Sequence, residues 1–182
     1  MKGVIRSIQP RISMTRSFDQ RDQDYLGYTL EIEDARGIQN VRIGSAEQAQ
    51  NQFRVGDAVS AEGNLIRLRQ RGPETGKSPP YHGPAPPLSG YQERGCRRLS
   101  EKTYSASCST CIWAACMKVE MIIDQWKPSH REHRTETFCF GPLSCRLYKS
   151  GPKRKVPGRR GMTYVEEDWV DEQETAHRER HE

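Results

Sequence analysis

The sequence predicts a mainly β protein made of small lobes, and three observations support this. Its 182 residues are 34% hydrophobic, which is lean for one large core and favours two small ones. The first half alternates apolar and polar residues in runs of strand length. Two closely spaced pairs account for four of the six cysteines, and a small lobe with few apolar residues commonly needs disulfides or a structural metal.

Four strands and one helix are predicted in residues 1–69. The first two strands lie at 2–14 and 25–33, where apolar side chains alternate with polar ones. A third strand follows at 38–44, and Ser45 is a suitable N-cap for a short polar helix. The fourth strand begins after a Gly-Asp turn at 56–57.

This order of three strands, a helix and a further strand resembles that of an OB-fold, a barrel with a helix before its fourth strand. The resemblance rests on element order and covers the first half of the chain. Residues 70–90 contain six prolines and four glycines and predict a loop. Residues 91–99 are then predicted to close the barrel as a fifth strand. The alternative is a four-stranded sheet that ends at Arg69 and is followed by a plain linker.

In an OB-fold, the loops after strands one and four flank a face that binds oligonucleotides or sugars. The first of these loops, at 15–24, contains Arg16, Phe18 and Arg21, and the second contains Lys77, Tyr81 and His82. Cations and aromatic rings suit a phosphate backbone and stacked bases. Because acidic residues share the first loop, a solvated polar loop is the alternative interpretation.

The cysteine spacing predicts a metal site. Cys108 and Cys111 form a C-x2-C pair, and Cys139 and Cys145 form a wider pair after 27 intervening residues. Strand-like segments before and after a polar turn predict a hairpin between the pairs, which would bring four soft ligands together around one tetrahedral ion. The arrangement resembles a zinc ribbon, with zinc as the implied cofactor, although the second pair is wider than C-x2-C.

Two alternatives to a zinc site remain open. Cys116 extends the first pair to C-x2-C-x4-C, and a close thiol triplet with a remote fourth cysteine is also how iron-sulfur clusters are held. The cysteines could instead be unligated buried thiols, because cysteine is often buried. Cys96 is expected to be a small core residue, and His130 and His133 are expected to face solvent.

Aromatic residues around the cysteines are expected to pack the small lobe, because aromatic side chains bury more area than other residues. The residues expected to do so are Trp113, Trp126, Phe138, Phe140 and Tyr148. Base stacking is the alternative role.

Charge is unevenly distributed near the C-terminus. Residues 146–160 contain seven basic residues and no acid, whereas 164–182 contain eight acids and two arginines. The flexible basic segment can lie along phosphates, and its candidate contacts are Lys153, Arg154, Lys155, Arg159 and Arg160. Pairing of this segment with the acidic tail is the alternative.

Together these features predict three parts: an OB-like barrel at 1–100, a metal lobe at 101–150, and a basic loop and acidic tail at 151–182. Without an apolar run of signal-peptide or membrane-span length, we expect a cytoplasmic protein with no membrane partner. The function expected is non-catalytic binding of single-stranded nucleic acid, since no catalytic constellation is recognisable. The alternative is an iron-sulfur electron-transfer or accessory subunit whose charged segments dock a protein partner.

Overall fold

A computed structural model describes residues 1–17, 20–63, 65–74, 76–124, 126–127, 129–166 and 168–180. Its strands are β1 (Lys2–Arg16), β2 (Arg21–Asp34), β3 (Gly37–Ile43), β4 (Ala58–Glu62), β5 (Leu65–Gln70), β6 (Arg97–Arg98), β7 (Ala114–Ile122), β8 (Arg131–Cys139), β9 (Lys155–Pro157) and β10 (Thr163–Val165). Its helices are α1 (Ser45–Asn51), α2 (Leu88–Arg94), α3 (Glu101–Thr103) and α4 (Trp169–Thr175), with a π-helical turn at Tyr104–Cys108 and 3-10 turns at Arg159–Gly161 and Ala176–Arg180. A content of 44% strand and 20% helix confirms the mainly β class.

Strand β1 organises the main sheet because it is long enough to pair with three neighbours. Strand β2 lies antiparallel along almost its whole length, from Val4 opposite Glu33 to Arg16 opposite Arg21. On the other edge of β1, β4 pairs antiparallel with residues 2–4, and β7 pairs parallel with residues 13–16. The mixed sheet follows the path β3-β2-β1-β7-β8-β6, and the β4–β5 hairpin branches from β1.

The alternation of apolar residues in these strands produces one continuous core. Ile5 and Ile8 of β1 are fully buried, as is Leu30, the β2 partner of Ile8. Met117 and Val119 of β7 join the same cluster of buried side chains. Full burial of such a side chain stabilises the fold by about 1.5–3 kcal/mol. The shared core therefore extends across residue 100, where the sequence predicted a boundary between the first two lobes.

The main sheet does not close into the predicted barrel. Among the described residues, β3 pairs with β2 alone and β5 with β4 alone. Residues 91–99, predicted as the closing strand, lie partly in α2, and their only strand is β6, which pairs with β8. Within α2, the Tyr91 ring packs edge-on against Trp113 at 5.6 Å and Phe140 at 5.3 Å. Packing against the β7–β8 hairpin thus favours a helix where local alternation suggested a strand.

The turns differ from the sequence prediction in two places. The predicted fourth strand is a hairpin of β4 and β5, which reverses at Gly63, a residue in the left-handed region with φ of 60°. Helix α1 is preceded by Gly44 at the N-cap position, and Ser45 is its first residue, without a side-chain cap. In the described part of 70–90, β5 ends at Gln70 and the loop runs to Pro87, but the last three residues predicted as loop belong to α2, which begins at Leu88.

The helices are short. In the part of the chain that the structure describes, the longest α-helices have seven residues each. Across the described ranges, no helix is long and apolar enough to cross a lipid bilayer.

Candidate metal centre and basic surface

Two cysteine pairs meet at one end of the β7–β8 hairpin. Ala114, the first residue of β7, pairs with Cys139, the last residue of β8. Cys108 and Cys111 precede β7 directly, and Cys145 follows β8 after a short turn. The predicted hairpin is confirmed, and its register brings these four thiols, the cysteine cluster, to the same end. None of the six cysteines is in a disulfide.

Backbone amides donate hydrogen bonds to two sulfurs of the cysteine cluster. The Gly141 amide donates to Cys139 Sγ at 3.3 Å. The Cys111 thiol accepts from the amides of Trp113 and Tyr81, which partly offset the rise in its pKa that burial causes. In the turns after Cys111 and Cys139, one donor to the sulfur is therefore the backbone amide of the residue two positions later. Such donors stabilise the thiolate, which is the form that binds metals.

Burial and mutual repulsion act in the opposite direction on these thiols. Cys108, Cys111 and Cys139 are all less than 10% exposed. Burial, followed by repulsion from the other three thiolates of the cluster, raises the pKa of Cys108 to about 12. Burial is also the main reason why the pKa of Cys111 rises to about 11. Repulsion within the cluster thus disfavours the charged forms of Cys108, Cys111 and Cys139, and a cation among the thiols would remove this penalty.

Two arginines hold the turn that carries Cys145. Arg97 Nη2 donates to the Pro142 carbonyl at 3.0 Å, and its guanidinium lies 3.5 Å from the centre of the Tyr148 ring. Arg178, from the tail, is buried and donates to the Gly141 carbonyl at 2.6 Å. Both arginines lower the pKa of Cys139, although burial raises it overall. No local pattern in the sequence indicates this role for Arg178, because it lies in a segment dominated by acids.

Gln9 of β1 holds the turn between Cys108 and Cys111. Its Nε2 donates to the carbonyls of Cys108 at 3.1 Å, Ser109 at 3.1 Å and Cys111 at 3.0 Å. Its Oε1 accepts from the Tyr104 hydroxyl at 2.7 Å. Gln9 is buried. The sequence feature that could have pointed to it is the presence of a polar residue within an apolar strand. Gln9 is not among the site residues predicted from the sequence.

The Pro/Gly loop also packs against this turn. The Tyr81 carbonyl accepts from the Ile112 amide at 2.9 Å, and His82 Nε2 lies 2.9 Å from the Thr110 hydroxyl. Partial burial lowers the pKa of His82. Tyr81 and His82, predicted to face a nucleic acid, therefore contact the cysteine turn instead.

The cysteine cluster is not arranged as a completed coordination sphere. Within the described ranges, no three or more Cys, His, Asp or Glu side chains form a group that could hold a metal ion as they stand. Zinc-sulfur bonds are about 2.3 Å long, so metal binding requires the four thiols to draw together.

The remaining candidate ligands lie apart from the cysteine cluster. Cys116 is exposed on β7, opposite Thr137. Cys96 is fully buried, as expected, and lies beside Glu174. His133 is 70% exposed, with Nε2 3.5 Å from Glu120, and His130 is exposed.

Arg16 and Arg21, both predicted to bind nucleic acid, lie inside the protein. Arg16 is paired with Glu136 at 3.1 Å and with Glu166. The Arg21 side chain is 1% exposed and is paired with Asp171 at 2.7 Å and Glu174 at 2.5 Å. These guanidinium groups are not on a surface that a phosphate can reach. Phe18, the third predicted contact in this loop, lies outside the described residues.

The acidic tail supplies most of the partners for these buried arginines. Glu166 pairs with Arg16 and lies 3.5 Å from Arg98, which also pairs with Asp168 and, at 3.0 Å, with Asp171. We call this set the arginine cluster, and its members are Arg16, Arg21, Arg98, Glu136, Glu166, Asp168, Asp171 and Glu174. The tail is therefore an integral part of the sheet packing. Of the four tail carboxylates in this cluster, Asp168 also pairs with Lys153 of the basic segment, whereas Glu166, Asp171 and Glu174 pair with the buried arginines.

Most of the basic segment lies on the surface. Its exposed cations are Arg146, Lys149, Lys153, Lys155, Arg159 and Arg160, and Arg154 is half-buried. Lys153 pairs with Asp168 at 2.9 Å, and Arg159 Nε lies 3.4 Å from Asp124. Strands β9 and β10 form a hairpin that presents Arg159 and Arg160 at its turn.

The aromatic residues divide between core and surface. Phe138 and Phe140 are fully buried, as predicted, and Trp113 and Tyr148 pack against buried clusters. Trp126 does not pack the core, because it is 80% exposed. It follows β7 in the turn at the opposite end of the hairpin from the cysteines, where neighbouring elements do not cover it.

Comparison with protein-family models, with curated proteins and with solved structures finds no match for this chain.

Proposed function

We propose that this is a non-catalytic binding protein in which one zinc ion, held by the cysteine cluster, supports a basic surface that binds single-stranded nucleic acid. The observation that carries the proposal is that the acidic and the basic residues near the C-terminus have different surroundings. Tail carboxylates pair with Arg16, Arg21 and Arg98 of the sheet, whereas most cations of 146–160 remain exposed. The surface thus keeps a basic segment that the chain's own acids leave largely unneutralised.

Zinc suits the cysteine cluster on chemical grounds. Four thiolates fill a tetrahedral zinc site completely, which is the pattern of a structural and not a catalytic centre. Such a centre carries a net charge of −2. The guanidinium groups of Arg97 and Arg178, which donate to carbonyls of the turn beside it, bring positive charge near this site. The amides that point at Cys111 and Cys139 would strengthen the thiolates as ligands.

Elemental analysis of the full-length protein tests the metal. We expect one zinc per chain and no visible colour, with the zinc lost in the Cys108→Ser variant and kept in Cys116→Ser. Iron with inorganic sulfide and visible absorption would overturn the zinc assignment and support the electron-transfer alternative. A protein without bound metal that also fails to take up added zinc would overturn both assignments.

Salt-dependent binding tests the nucleic-acid partner. A single strand of oligothymidylate should bind the full-length protein with an affinity that falls as salt rises, because cations release counterions from phosphates. Replacing Lys149, Lys155 and Arg160 with alanine should reduce the slope by roughly 0.7 per lost phosphate contact, or about two in all.

A matched control separates this surface from net charge alone. Arg42, Arg67 and Arg69 are exposed on β3 and β5, and their replacement with alanine removes the same number of charges. The slope should change little in this control. Equal slopes in the two triple variants, or no binding at low salt by the unmodified protein, would contradict the proposal and point to a protein partner.

A further inference from the structure

A cleft of about 270 Å³ lies at the end of β7, between the turn after this strand and the β9–β10 hairpin. It is lined by Ser17, Ile122, Ile123, Trp126, Pro157, Gly158, Arg159 and Tyr164. The cleft thus combines two aromatic rings, two aliphatic side chains and one guanidinium. None of these residues takes part in the cysteine cluster or the arginine cluster.

Asp124 ties the two sides of the cleft together. Its Oδ1 accepts a hydrogen bond from the Trp126 amide at 2.9 Å, and its Oδ2 lies 3.4 Å from Arg159 Nε. The Asp124 side chain is 11% exposed, so this carboxylate is largely shielded from solvent. One buried acid therefore positions both the tryptophan turn and the cation opposite it.

The Tyr164 ring is held against the backbone of the β9–β10 hairpin. A Cβ atom at Gly158 would overlap this ring, so the close approach requires glycine there. The Gly158 amide donates to the Met162 carbonyl at 2.7 Å, and Tyr164 pairs with Val156 across the hairpin. The position of the Tyr164 ring is thus determined before any ligand binds.

Trp126 has no role in the packing of the fold. It is 80% exposed, whereas Ile123 beside it is 7% exposed. Leaving so large an aromatic surface in water forgoes the stabilisation that its burial would provide. An exposed tryptophan beside a cleft and a cation is the combination that binds the flat face of a base.

We propose that this cleft is a stacking site for one base of a single-stranded nucleic acid whose phosphates lie along the basic segment. The inference rests on the proposed function and assigns the residues that contact bases. Charge complementarity supports this occupant, because Lys127, Arg159 and Arg160 are exposed at or next to the cleft lining. The volume lies just below the range of roughly 300–1,000 Å³ for pockets that enclose a drug-sized ligand, so one unit of a polymer suits it better than a free metabolite.

The test compares Trp126→Ala with Trp169→Ala in the full-length, metal-containing protein. Trp169 is also exposed, at 45%, but does not line the cleft. We expect Trp126→Ala to weaken binding of oligothymidylate by roughly 5- to 150-fold, the range that corresponds to loss of one stacked base. Trp169→Ala should bind as the unmodified protein does, and Trp126→Phe should retain most of the affinity because it keeps an aromatic face.

Two further measurements distinguish stacking from a general loss of structure or charge. The slope of affinity against salt should be the same in Trp126→Ala and the unmodified protein, since no cation is removed. An abasic strand of the same length should bind both proteins equally, because it offers phosphates without bases.

The outcomes separate this inference from the proposed function. If oligothymidylate binds with the expected salt dependence but Trp126→Ala binds as tightly as Trp169→Ala, the stacking site is wrong and the proposed function stands. An equal loss of affinity for abasic and intact strands would also overturn the stacking site. If the unmodified protein binds neither strand at low salt, the proposed function fails, and the stacking site fails with it.

Discussion

The arginine cluster and the cysteine cluster are both largely buried, but they balance charge differently: every member of the first is ion-paired within the chain, whereas two arginines lie beside the four thiols of the second. Arg16 lies between Glu136 and Glu166, and Arg21 lies between Asp171 and Glu174. The cysteine cluster instead gathers four groups whose ionised forms repel one another, and this repulsion adds to burial in raising the pKa of Cys108.

The two clusters therefore obtain their compensating charge from different sources. An ion-paired cluster is complete once the chain has folded, although it is sensitive to the loss of any one partner. Four converging thiols are stable without metal only in their protonated form. Their ionised form needs a cation from outside the chain, which couples metal binding to folding.

The largest effect is expected from breaking the arginine cluster. Replacing Arg16 with methionine leaves Glu136 and Glu166 buried without this partner, which should lower the free energy of unfolding by about 3–5 kcal/mol. Urea denaturation measures the change. The control is Arg6→Met, which removes an exposed ion pair with Glu33 and should cost about 0–1 kcal/mol. Similar losses in the two variants would show that the arginine cluster is not coupled to folding as described.

Zinc should stabilise the cysteine cluster by an amount set by its concentration. With free zinc at about 100 times its dissociation constant, the free energy of unfolding should exceed that of the metal-free protein by about 2.7 kcal/mol. Urea denaturation in chelator and in buffered zinc measures the difference. Cys108→Ser should lose this dependence and Cys116→Ser should keep it. Equal zinc dependence in both variants would remove Cys108 from the ligand set.

Gln9 should have a smaller effect that links β1 to the cysteine cluster. Gln9→Leu removes the donor to three carbonyls of the cysteine turn and should lower the free energy of unfolding by about 1–3 kcal/mol. Zinc affinity should also fall by roughly 10- to 100-fold, as for other residues that orient metal ligands. Competition with a zinc chelator measures the affinity. Gln39→Leu, at an exposed position of β3, should change neither quantity.

The smallest expected change in the free energy of unfolding is at Asp168, the half-exposed member of the arginine cluster, and it should depend on pH. Hydrogen bonds from Lys153 and Arg98 lower the pKa of Asp168 below its usual value. A lowered folded-state pKa adds stability above the unfolded value of about 3.9, and this contribution is lost as the pH falls through the folded value.

Asp168→Asn should therefore cost less than about 1 kcal/mol at neutral pH, because the side chain is half exposed. The gap between the variant and the unmodified protein should close as the solution is made more acidic than about pH 4. Denaturation curves collected across this range measure it. A gap that widened in acid would mean that Asp168 is not stabilised in its charged form.

Local pattern was sufficient for most strands and for the hairpin between the cysteine pairs. The positions of β1, β2 and β3 follow from alternation of side chains within each segment, which is a property of neighbouring residues. The grouping of Cys108, Cys111, Cys139 and Cys145 at one end of the hairpin follows from their spacing, whereas their binding of zinc stays a prediction. The same reasoning failed for 91–99, because Tyr91 packs against residues far along the chain.

By itself, the sequence determined the class of the fold, the strands whose alternation is local, and the spacing that brings four thiols to one end of a hairpin. Tertiary structure alone decided which charges and aromatic rings reach the surface. Arg16 and Glu166 are 150 positions apart, and Gln9 and Cys108 are 99 apart, so no local pattern connects them. A buried arginine needs an oppositely charged or hydrogen-bonding partner, whereas an exposed arginine does not. Which arginines are buried depends on the folded chain as a whole, so the residues around them do not reveal it.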